Sequence, residues 1–531
     1  NRFLHAAAEE KQFGYQPAAG EKVMVEFSSP NTNKPLHLGH IRNILLGWAM
    51  SRIFEANGYE VIKTQIVNDR GIAICKSMLA WKKFGEGETP ESSNIKSDHL
   101  VGKYYVRFAQ ELASEYQAWQ QTDVAKAVFN EKAKDGQDEA AFFKAYENTY
   151  FNEYSILGKE AREMLLQWEA NDPATRELWK KMNGWVYAGF NETYKKLGVD
   201  FDKLYYESDT YLLGKNIVEQ GLKDSLFYQK DDGSVWIDLE DAKLDQKLVL
   251  RSDGTSVYLT QDLGTAEIRY HDYGARNMIY TVGDEQNYHF KVLFEIMKRM
   301  KAPYADGLYH LSYGMVDLPT GKMKSREGTV VDADDLIAEV IREAELNAEE
   351  HGKIEGLSDS EQQEILRKIG LAALKFFIVK VNPRKRMTFD PKESVDMQGA
   401  TGPYIQNAFV RIQGILRKLK KSEDIEALEQ GALSRNYNPL KPLEREILIQ
   451  LYGFPEVLAE AAKEYDPSEV ANYCYALARN FHKMYNDAAE YGILNAESKE
   501  AQAFRLKLSK LIASVLQSGM DLLGIEMPDR M

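Results

Sequence analysis

The chain has 531 residues, and 67 Lys and Arg against 81 Asp and Glu leave a formal charge of −14, with 44% hydrophobic and 28% charged residues. At ~150 residues per domain this length predicts three or four domains, each able to bury a core, and it excludes a chain disordered as a whole. The acidic balance argues against nonspecific coating of nucleic acid but leaves room for local basic surfaces. Read in chain order, the first strand runs from Lys22 to Phe27 and feeds a polar loop and a helix. Ile41, Ile44, Leu45, Trp48 and Ala49 fall at i, i+3, i+4, i+7 and i+8, one apolar helical face. Asn57-Gly58 stops that helix, and Tyr59 to Ile66 reads as a second strand, so the unit is βαβ and the sheet parallel. From about Glu86 to Asp200 long aromatic and charged helical stretches predict a helical insertion. Asp231-Asp232-Gly233 between two short apolar runs predicts a hairpin. The βα pattern then resumes, with strands at Lys247 to Arg251, Asn277 to Val282 and Tyr309 to Tyr313 and helices from Leu259 and from Gln286. From Ala333 onward helix follows helix, so an α/β domain split by an insertion precedes an all-α half. No apolar run reaches the ~18 residues of a membrane span, because Lys375 and Lys380 interrupt the most apolar stretch, and no membrane partner is expected. Cys75 and Cys474 lie too far apart in sequence for a disulfide framework or a zinc cluster, and no signal-peptide pattern opens the chain; a cytoplasmic compartment is expected.

Two motifs carry chemistry. The loop after the first strand reads Ser28-Ser29-Pro30-Asn31-Thr32-Asn33-Lys34-Pro35-Leu36-His37-Leu38-Gly39-His40. At the carboxyl end of a first parallel strand, this is where nucleotide phosphates sit. Gly39 permits close approach, and the helix start offers free N–H groups to an anion. His37 and His40, three apart, present both imidazoles to one side, where they can stabilise charge on a phosphorus under attack. The ordinary alternative, two surface histidines near a cap, loses ground because the tetrapeptide directly follows the first strand of a βαβ unit. The second motif, Gly321-Lys322-Met323-Lys324-Ser325-Arg326-Glu327-Gly328, is a cationic loop suited to gripping a polyphosphate and releasing it. Alone it would read as an exposed basic turn; in order with the first motif it does not.

Together these segments resemble the class I aminoacyl-tRNA synthetases, and more closely the arginyl-tRNA synthetase family. His37-Leu38-Gly39-His40 is similar to the first signature and Lys322 to Arg326 to the second. The likeness continues through Val25 to Asn31, Asn68 to Gly71, Tyr258 to Asp262, Val282 to Gln286, Gly402 to Gln406 and the Gly524-to-Met531 ending. The resemblance implies a Rossmann-like parallel-sheet catalytic domain (21–85 and 206–332) split by an insertion (86–205). A helical connecting region (333–395) and an α-helical anticodon-binding domain (396–531) would follow, and residues 1–20 would be a remnant or linker of an N-terminal tRNA-contacting domain that the chain is expected to lack. It implies ATP-dependent charging of arginine tRNA by an enzyme acting as a monomer, with Mg²⁺ carried in by ATP and no metal held by protein ligands. Arginine's carboxylate would attack the α-phosphate, and the terminal ribose, through its 2′-hydroxyl, would then take the arginyl group.

The resemblance also implies site residues. Glu26, Asn31, His37, Tyr258, Asp262 and Gln286 would line the arginine pocket, which agrees with the preference of a planar guanidinium for carboxylates and other acceptors. Gly39, His40, Gly283, Lys322 and the backbone of Gly314, Met315 and Val316 would take ATP, and His289 is either a border of that site or a helix-start histidine. His37, His40, Lys34, Lys322 and Lys324 would be catalytic. Aligned on Lys322-Met323, the usual second lysine falls on Ser325; a loop shorter by one residue would make Lys324 that lysine, and both registers stay open. Lys34 is the candidate to supply the cation, as some family members lacking the loop lysine carry one here. In the helical half, basic points interleave with tyrosines, a composition suited to stacking on single-stranded RNA loops. Tyr404, Gln406, Arg411, Tyr485 and Met531 are the expected tRNA contacts. Two competing readings are a smaller nucleotidylyltransferase-type enzyme, which leaves the insertion and helical half unexplained, and a tRNA-binding paralogue without catalysis, against which His37, His40 and Lys322 speak.

Overall fold

The computed structural model describes residues 2–10, 12–319, 331–351, 357–422 and 439–531. Five parallel strands form its main sheet: β1 (Lys22–Glu26), β2 (Glu60–Val67), β3 (Lys203–Tyr206), β4 (Asn277–Gly283) and β5 (Leu308–Tyr313). Their spatial order is β3-β2-β1-β4-β5. The winding reverses between β1 and β4, so their carboxyl ends part and leave a crevice, the place where open α/β sheets take ligands. Side chains alternate across the sheet. Val23, Val25 and Ile279 enter a core shared with the helix Leu38–Ala56. Met24, Met278 and Tyr280 enter a second core under the helices Tyr258–Tyr273 and Asn287–Arg299. With both faces covered, Val23 through Glu26 is buried without a break. The helix Leu38–Ala56 lies so close to the sheet that a Cβ on Gly47 would fall 2.2 Å from the Phe27 side chain.

Between β2 and β3 the chain leaves the sheet for a helical insertion whose longest members are Ser97–Gln120 and Pro173–Leu197. The expected end at residue 205 is too late, because Lys203 already pairs with Thr64 and belongs to β3. The strand expected at Lys247 to Arg251 exists as Lys247–Leu250 but does not join the parallel sheet. It pairs antiparallel with Val235–Ile237 of the hairpin, whose outer edge would otherwise be left open. Residues 1–20 are not simply a linker: the helix Arg2–Glu9 buries Leu4 and Ala7, and Phe3 packs edge-on against Tyr452. Among the described residues from Ala333–His351 to Lys499–Leu522, the regular structure is helical apart from Met387–Thr388, which pairs with Val316–Asp317. No helix of the described residues is long and apolar enough to cross a membrane.

Lys375, 3% exposed in the helix Asp359–Val379, marks the junction of these parts. Its ammonium donates to the carbonyl of Gly524, whose left-handed backbone (φ +71°) passes so near Trp48 that a Cβ would meet the indole at 2.9 Å. Burial pushes the Lys375 ammonium down to about 8. Between pH 8 and its unfolded value near 10.5, the unfolded chain holds a proton that the native chain has released, so this group adds stability as pH rises. Lys375→Met should remove that gain. The wild type should gain up to about 3 kcal/mol on the variant between pH 7.5 and 10.5, read from paired thermal melts.

Candidate active site

The crevice is shaped by a strained turn. Ser28 and Ser29, just past β1, both have positive φ (73° and 39°), a conformation costly for side-chain-bearing residues that the surroundings must enforce. Asn43, on the helix Leu38–Ala56, does so. Its Oδ1 accepts the Ser28 N–H at 2.5 Å while its Nδ2 donates to the Thr281 carbonyl of β4 at 2.7 Å and to Tyr313 Oη at 3.1 Å. Tyr194, from the insertion's last long helix, closes the turn through Ser28 Oγ (2.7 Å) and Gln65 Oε1 (3.1 Å). Ser29 Oγ donates to Glu26 Oε1 (2.9 Å) and accepts the Ile66 N–H (3.2 Å).

The two histidines form a reciprocal cap on the helix. His37 Nδ1 accepts the Gly39 N–H and His40 Nδ1 accepts the His37 N–H, each at 3.1 Å. A Cβ on Gly39 would stand 3.0 Å from the His37 ring, so glycine is needed for the imidazole to fold over its own helix end. Burial, then the charge of Lys34, pushes the His37 imidazole down to about 4 against the pull of Asp332. Burial also holds His40 well below the usual histidine range, with His37 and Lys34 adding to the effect. Both rings are therefore neutral near pH 7. With each Nδ1 occupied as an acceptor, the proton of each ring resides on Nε2, which makes two N–H donors side by side, ring centroids 3.9 Å apart. Lys34 is half-buried, burial lowers its pKa, and its ammonium has no carboxylate partner among the described residues. Lys322 and Lys324 lie outside the described residues.

The acids divide into spent and open ones. Glu26 faces Arg269 in a buried ion pair and accepts from Ser29 besides, so its charge is already balanced within the protein. Asp262 accepts at Oδ2 from His289 Nε2 (2.7 Å). Burial raises its carboxyl and His289 opposes that. Tyr258, one turn away, is 61% exposed and has its ring 5.4 Å from His289. His289 thus stands with the expected arginine ligands. Glu207, unforeseen in the sequence, is half-buried, and burial followed by Asp69 and Asp262 outweighs Arg70 to push its carboxyl up to about 7. Gln286 and Asn31 are exposed, Gln286 in a short turn after β4 and Asn31 in a bridge to Asn68.

Around the expected nucleotide position, Gly283 is buried, yet a Cβ there would meet nothing nearer than Glu285 at 3.7 Å, so the protein itself leaves space above it. The Gly314-to-Val316 backbone is less open than expected. The Gly314 N–H donates to the Pro383 carbonyl, the Met315 carbonyl accepts from the Met387 N–H and from Arg42, and Val316 pairs with Met387. Arg42 also donates to the carbonyls of Pro383 and Lys385, clasping this segment from the histidine helix.

Of the expected RNA contacts, Gln406 is a correction. It is fully buried and its amide donates to the carbonyls of Lys368 and Glu526, which makes it a tie between helices. Met531 packs against the small cluster around Ile369 and Val395. Arg411 donates to His482 Nδ1 (2.9 Å) and lies over the Tyr485 ring (4.8 Å). Both border a cavity of about 470 Å³ together with Arg417, Met484 and Tyr491. The Tyr404 ring lies tilted against His482, with centroids 4.6 Å apart, and the His482 Nε2 meets the Tyr404 carbonyl at 3.2 Å.

Comparison with known proteins adds the following. The family described as "tRNA synthetases class I (R), catalytic domain" matches residues 4–390, and "DALR anticodon binding domain" matches residues 405–531. The chain is 50% identical over 534 residues to the protein named "Arginine--tRNA ligase" of Parabacteroides distasonis, spanning 99% of this chain and 84% of that one. It is 52% identical over 513 residues to the protein of the same name from Bacteroides thetaiotaomicron, spanning 96% and 80%. Among solved structures, the Thermus thermophilus arginyl-tRNA synthetase shares the fold with a TM-score of 0.76 at 23% identity, over 100% of this chain and 86% of that one.

If both imidazoles are neutral donors, neither should titrate in the physiological range. Imidazole resonances of His37 and His40 should stay constant from pH 9 down to about pH 5, and a titration of either ring between pH 6 and 7 would contradict this.

Proposed function

The chain belongs to the class I arginyl-tRNA synthetase family, and on that premise we propose that it is an arginine–tRNA ligase. In the first step a carboxylate oxygen of arginine attacks the α-phosphorus of ATP and pyrophosphate leaves. In the second, a ribose hydroxyl at the 3′ end of the tRNA, the 2′-hydroxyl, attacks the arginyl carbonyl and AMP leaves. Mg²⁺ arrives on the ATP phosphates, and the enzyme works in the cytoplasm as a monomer. Residues 21–332, interrupted by the insertion, are the catalytic part; 333–395 connect it to an anticodon-binding part at 396–531.

The observation that carries the reading is the pair of neutral imidazoles at the carboxyl end of β1. Two Nε2–H donors at a helix start, fixed by backbone N–H groups on their other nitrogens, are preorganised for the negative charge that grows on a phosphoryl group in the transition state. Neutral donors suit this task, because they stabilise an oxyanion without needing to hold a proton at low pH. Lys34 adds a full charge beside them, and Lys322 and Lys324 extend the grip. On the β4 side, Asp262 meets the guanidinium, oriented by His289, with Tyr258 and Gln286 bordering and Asn31 near the α-amino end. Glu26 shapes this pocket from beneath with its charge committed to Arg269. The ribose takes the space over Gly283. Arg411 and Tyr485, at the rim of the C-terminal cavity, offer a cation and a stacking face for an unpaired base.

Charging of total tRNA with each labelled amino acid in turn tests the reading; esterification should require ATP and occur with arginine alone. Asp262→Asn should raise the arginine KM roughly 10- to 100-fold, the worth of a charge-assisted hydrogen bond, while the ATP KM stays near the wild-type value. Lys34→Ala should lose kcat for adenylate formation by roughly 10²–10³ with little change in arginine KM. Near-normal turnover in Lys34→Ala beside collapse in Lys324→Ala would assign the cation to the loop instead.

A further inference from the structure

Outside the crevice, where the insertion meets the chain from residue 331 onward, six charged groups cluster. Asp334 is held by two lysines of the insertion, Lys96 Nζ on Oδ2 and Lys196 Nζ on Oδ1, both at 2.6 Å, and by Thr193 Oγ1 at 3.0 Å. Lys96 also reaches Asp98 (3.2 Å), which is fully buried beneath Gly189, where a Cβ would fall 2.2 Å from its Oδ1. His99 Nε2 lies 3.1 Å from Asp332 and 3.7 Å from Asp334. Asp98, His99 and Asp334 could be mistaken for metal ligands, but the Lys96 ammonium already sits on both carboxylates. Burial opposes the charge on His99, yet Asp332 and Asp334 push its imidazole up to about 10. Three cations therefore balance three carboxylates at neutral pH.

The same short stretch is stitched to the histidine turn on its other side. The Leu38 N–H donates to the Val331 carbonyl (3.1 Å) and the Ala333 N–H donates to the Leu36 carbonyl (3.0 Å), so that His37 and Asp332 are antiparallel bridge partners. Asp332 Oδ1 further caps the next helix, accepting the N–H groups of Asp334 (2.8 Å) and Asp335 (3.3 Å). A segment three residues long thus has the insertion's cations on one flank and the backbone of the catalytic histidine on the other. We infer that Asp334 is a positioning residue: it anchors Val331–Ala333 to the insertion, and through that segment sets the placement of His37. The Lys96–Asp334 pair is the shielded part of the anchor, with side-chain exposures of 14% and 12%, whereas Lys196 is 48% exposed. Removing the carboxylate leaves three cations against Asp98 and Asp332 alone, and the unbalanced positive charge drives Lys96, Lys196 and His99 apart. The bridge to His37 then shifts, and a misplacement of about 1 Å is enough to misalign a donor with a phosphoryl oxygen.

This inference rests on the activity proposed above, so its test reads both catalysis and geometry in the full chain. In pyrophosphate exchange with tRNA present, Asp334→Asn should lose kcat on the order of 10- to 100-fold, with arginine KM within about twofold of wild type. Asp334→Glu, which keeps the charge, should recover most of the loss. The imidazole resonances of His37 and His40 should shift in Asp334→Asn and return toward wild-type positions in Asp334→Glu. Unchanged kcat and unchanged resonances would overturn the inference, as would equal losses in kcat and arginine affinity, which would signal general damage. A wild-type chain inactive in exchange would fault the proposed activity, while the resonances would still decide whether Asp334 sets His37.

Discussion

The geometry of the crevice depends on one buried amide. Strands β1 and β4 run side by side as far as Glu26 and Tyr280, then must part if anything is to bind between them. Parting strands expose N–H and C=O groups that no neighbouring strand can satisfy, and burying them unpaired would cost about 1–3 kcal/mol each. Asn43 spans the gap, taking the Ser28 N–H with its oxygen and offering its nitrogen to the Thr281 carbonyl. A side-chain amide carries a donor and an acceptor on one rigid fork. It thereby acts as a rung inserted where the ladder opens, and the left-handed serine turn, the histidine cap beyond it and the floor of the crevice all take their positions from it.

A second constraint separates structural from receptive charge. Of the acids near the crevice, Glu26 is neutralised inside the protein by Arg269, while Asp262 is met by an imidazole through one oxygen only. Arg269, opposite Glu26, also pulls the neighbouring Asp262 carboxyl down and so opposes the repulsion that Glu26 exerts on it. Glu207 shows the other outcome: burial, with Asp69 and Asp262 adding to it, pushes its carboxyl up to about 7 although Arg70 opposes them.

The sequence made the sheet, the insertion and the helical half legible because periodicity is a local property: β1 carries Val23-Met24-Val25 and β4 carries Met278-Ile279-Tyr280, while β2 and β5 mix apolar and polar residues. β3 escaped notice: Lys203–Tyr206 is four residues long and half exposed, and only its pairing with Thr64 to Val67 makes it a strand. Lys247–Leu250 was recognisable as a strand but its sheet was not, since propensity says nothing about which edge a strand will find. In the site, His37 and His40 were visible because their spacing is local. Asn43, Arg42, Arg269 and Tyr194 were not, because each acts across more than a hundred residues of sequence. Arg42 and Asn43 did leave a trace, as polar residues on a helix with almost no exposed face. Gln406 misled for the opposite reason: a polar residue beside aromatic and basic ones resembles an RNA contact until its burial is seen.

The clasp of Arg42 on the carbonyls of Met315, Pro383 and Lys385 has a consequence for how the protein is made. The guanidinium is fully buried, yet its acceptors follow it by 273 (Met315), 341 (Pro383) and 343 (Lys385) residues, so the last of them is made some 340 residues after Arg42. At typical synthesis rates of about 5–20 residues per second that is a wait of roughly 20–70 s. Until Met315 is made the histidine helix can rest on β1 and β2 while its arginine lacks all three acceptors, and the clasp stays incomplete until Lys385 follows. Nascent chains shorter than about 390 residues therefore carry a half-built domain with a hydrated cation where the core will later close. Completion of the catalytic domain is a late, long-range event in translation, and truncated chains ending before Lys385 should be substrates for chaperones instead of compact folding units.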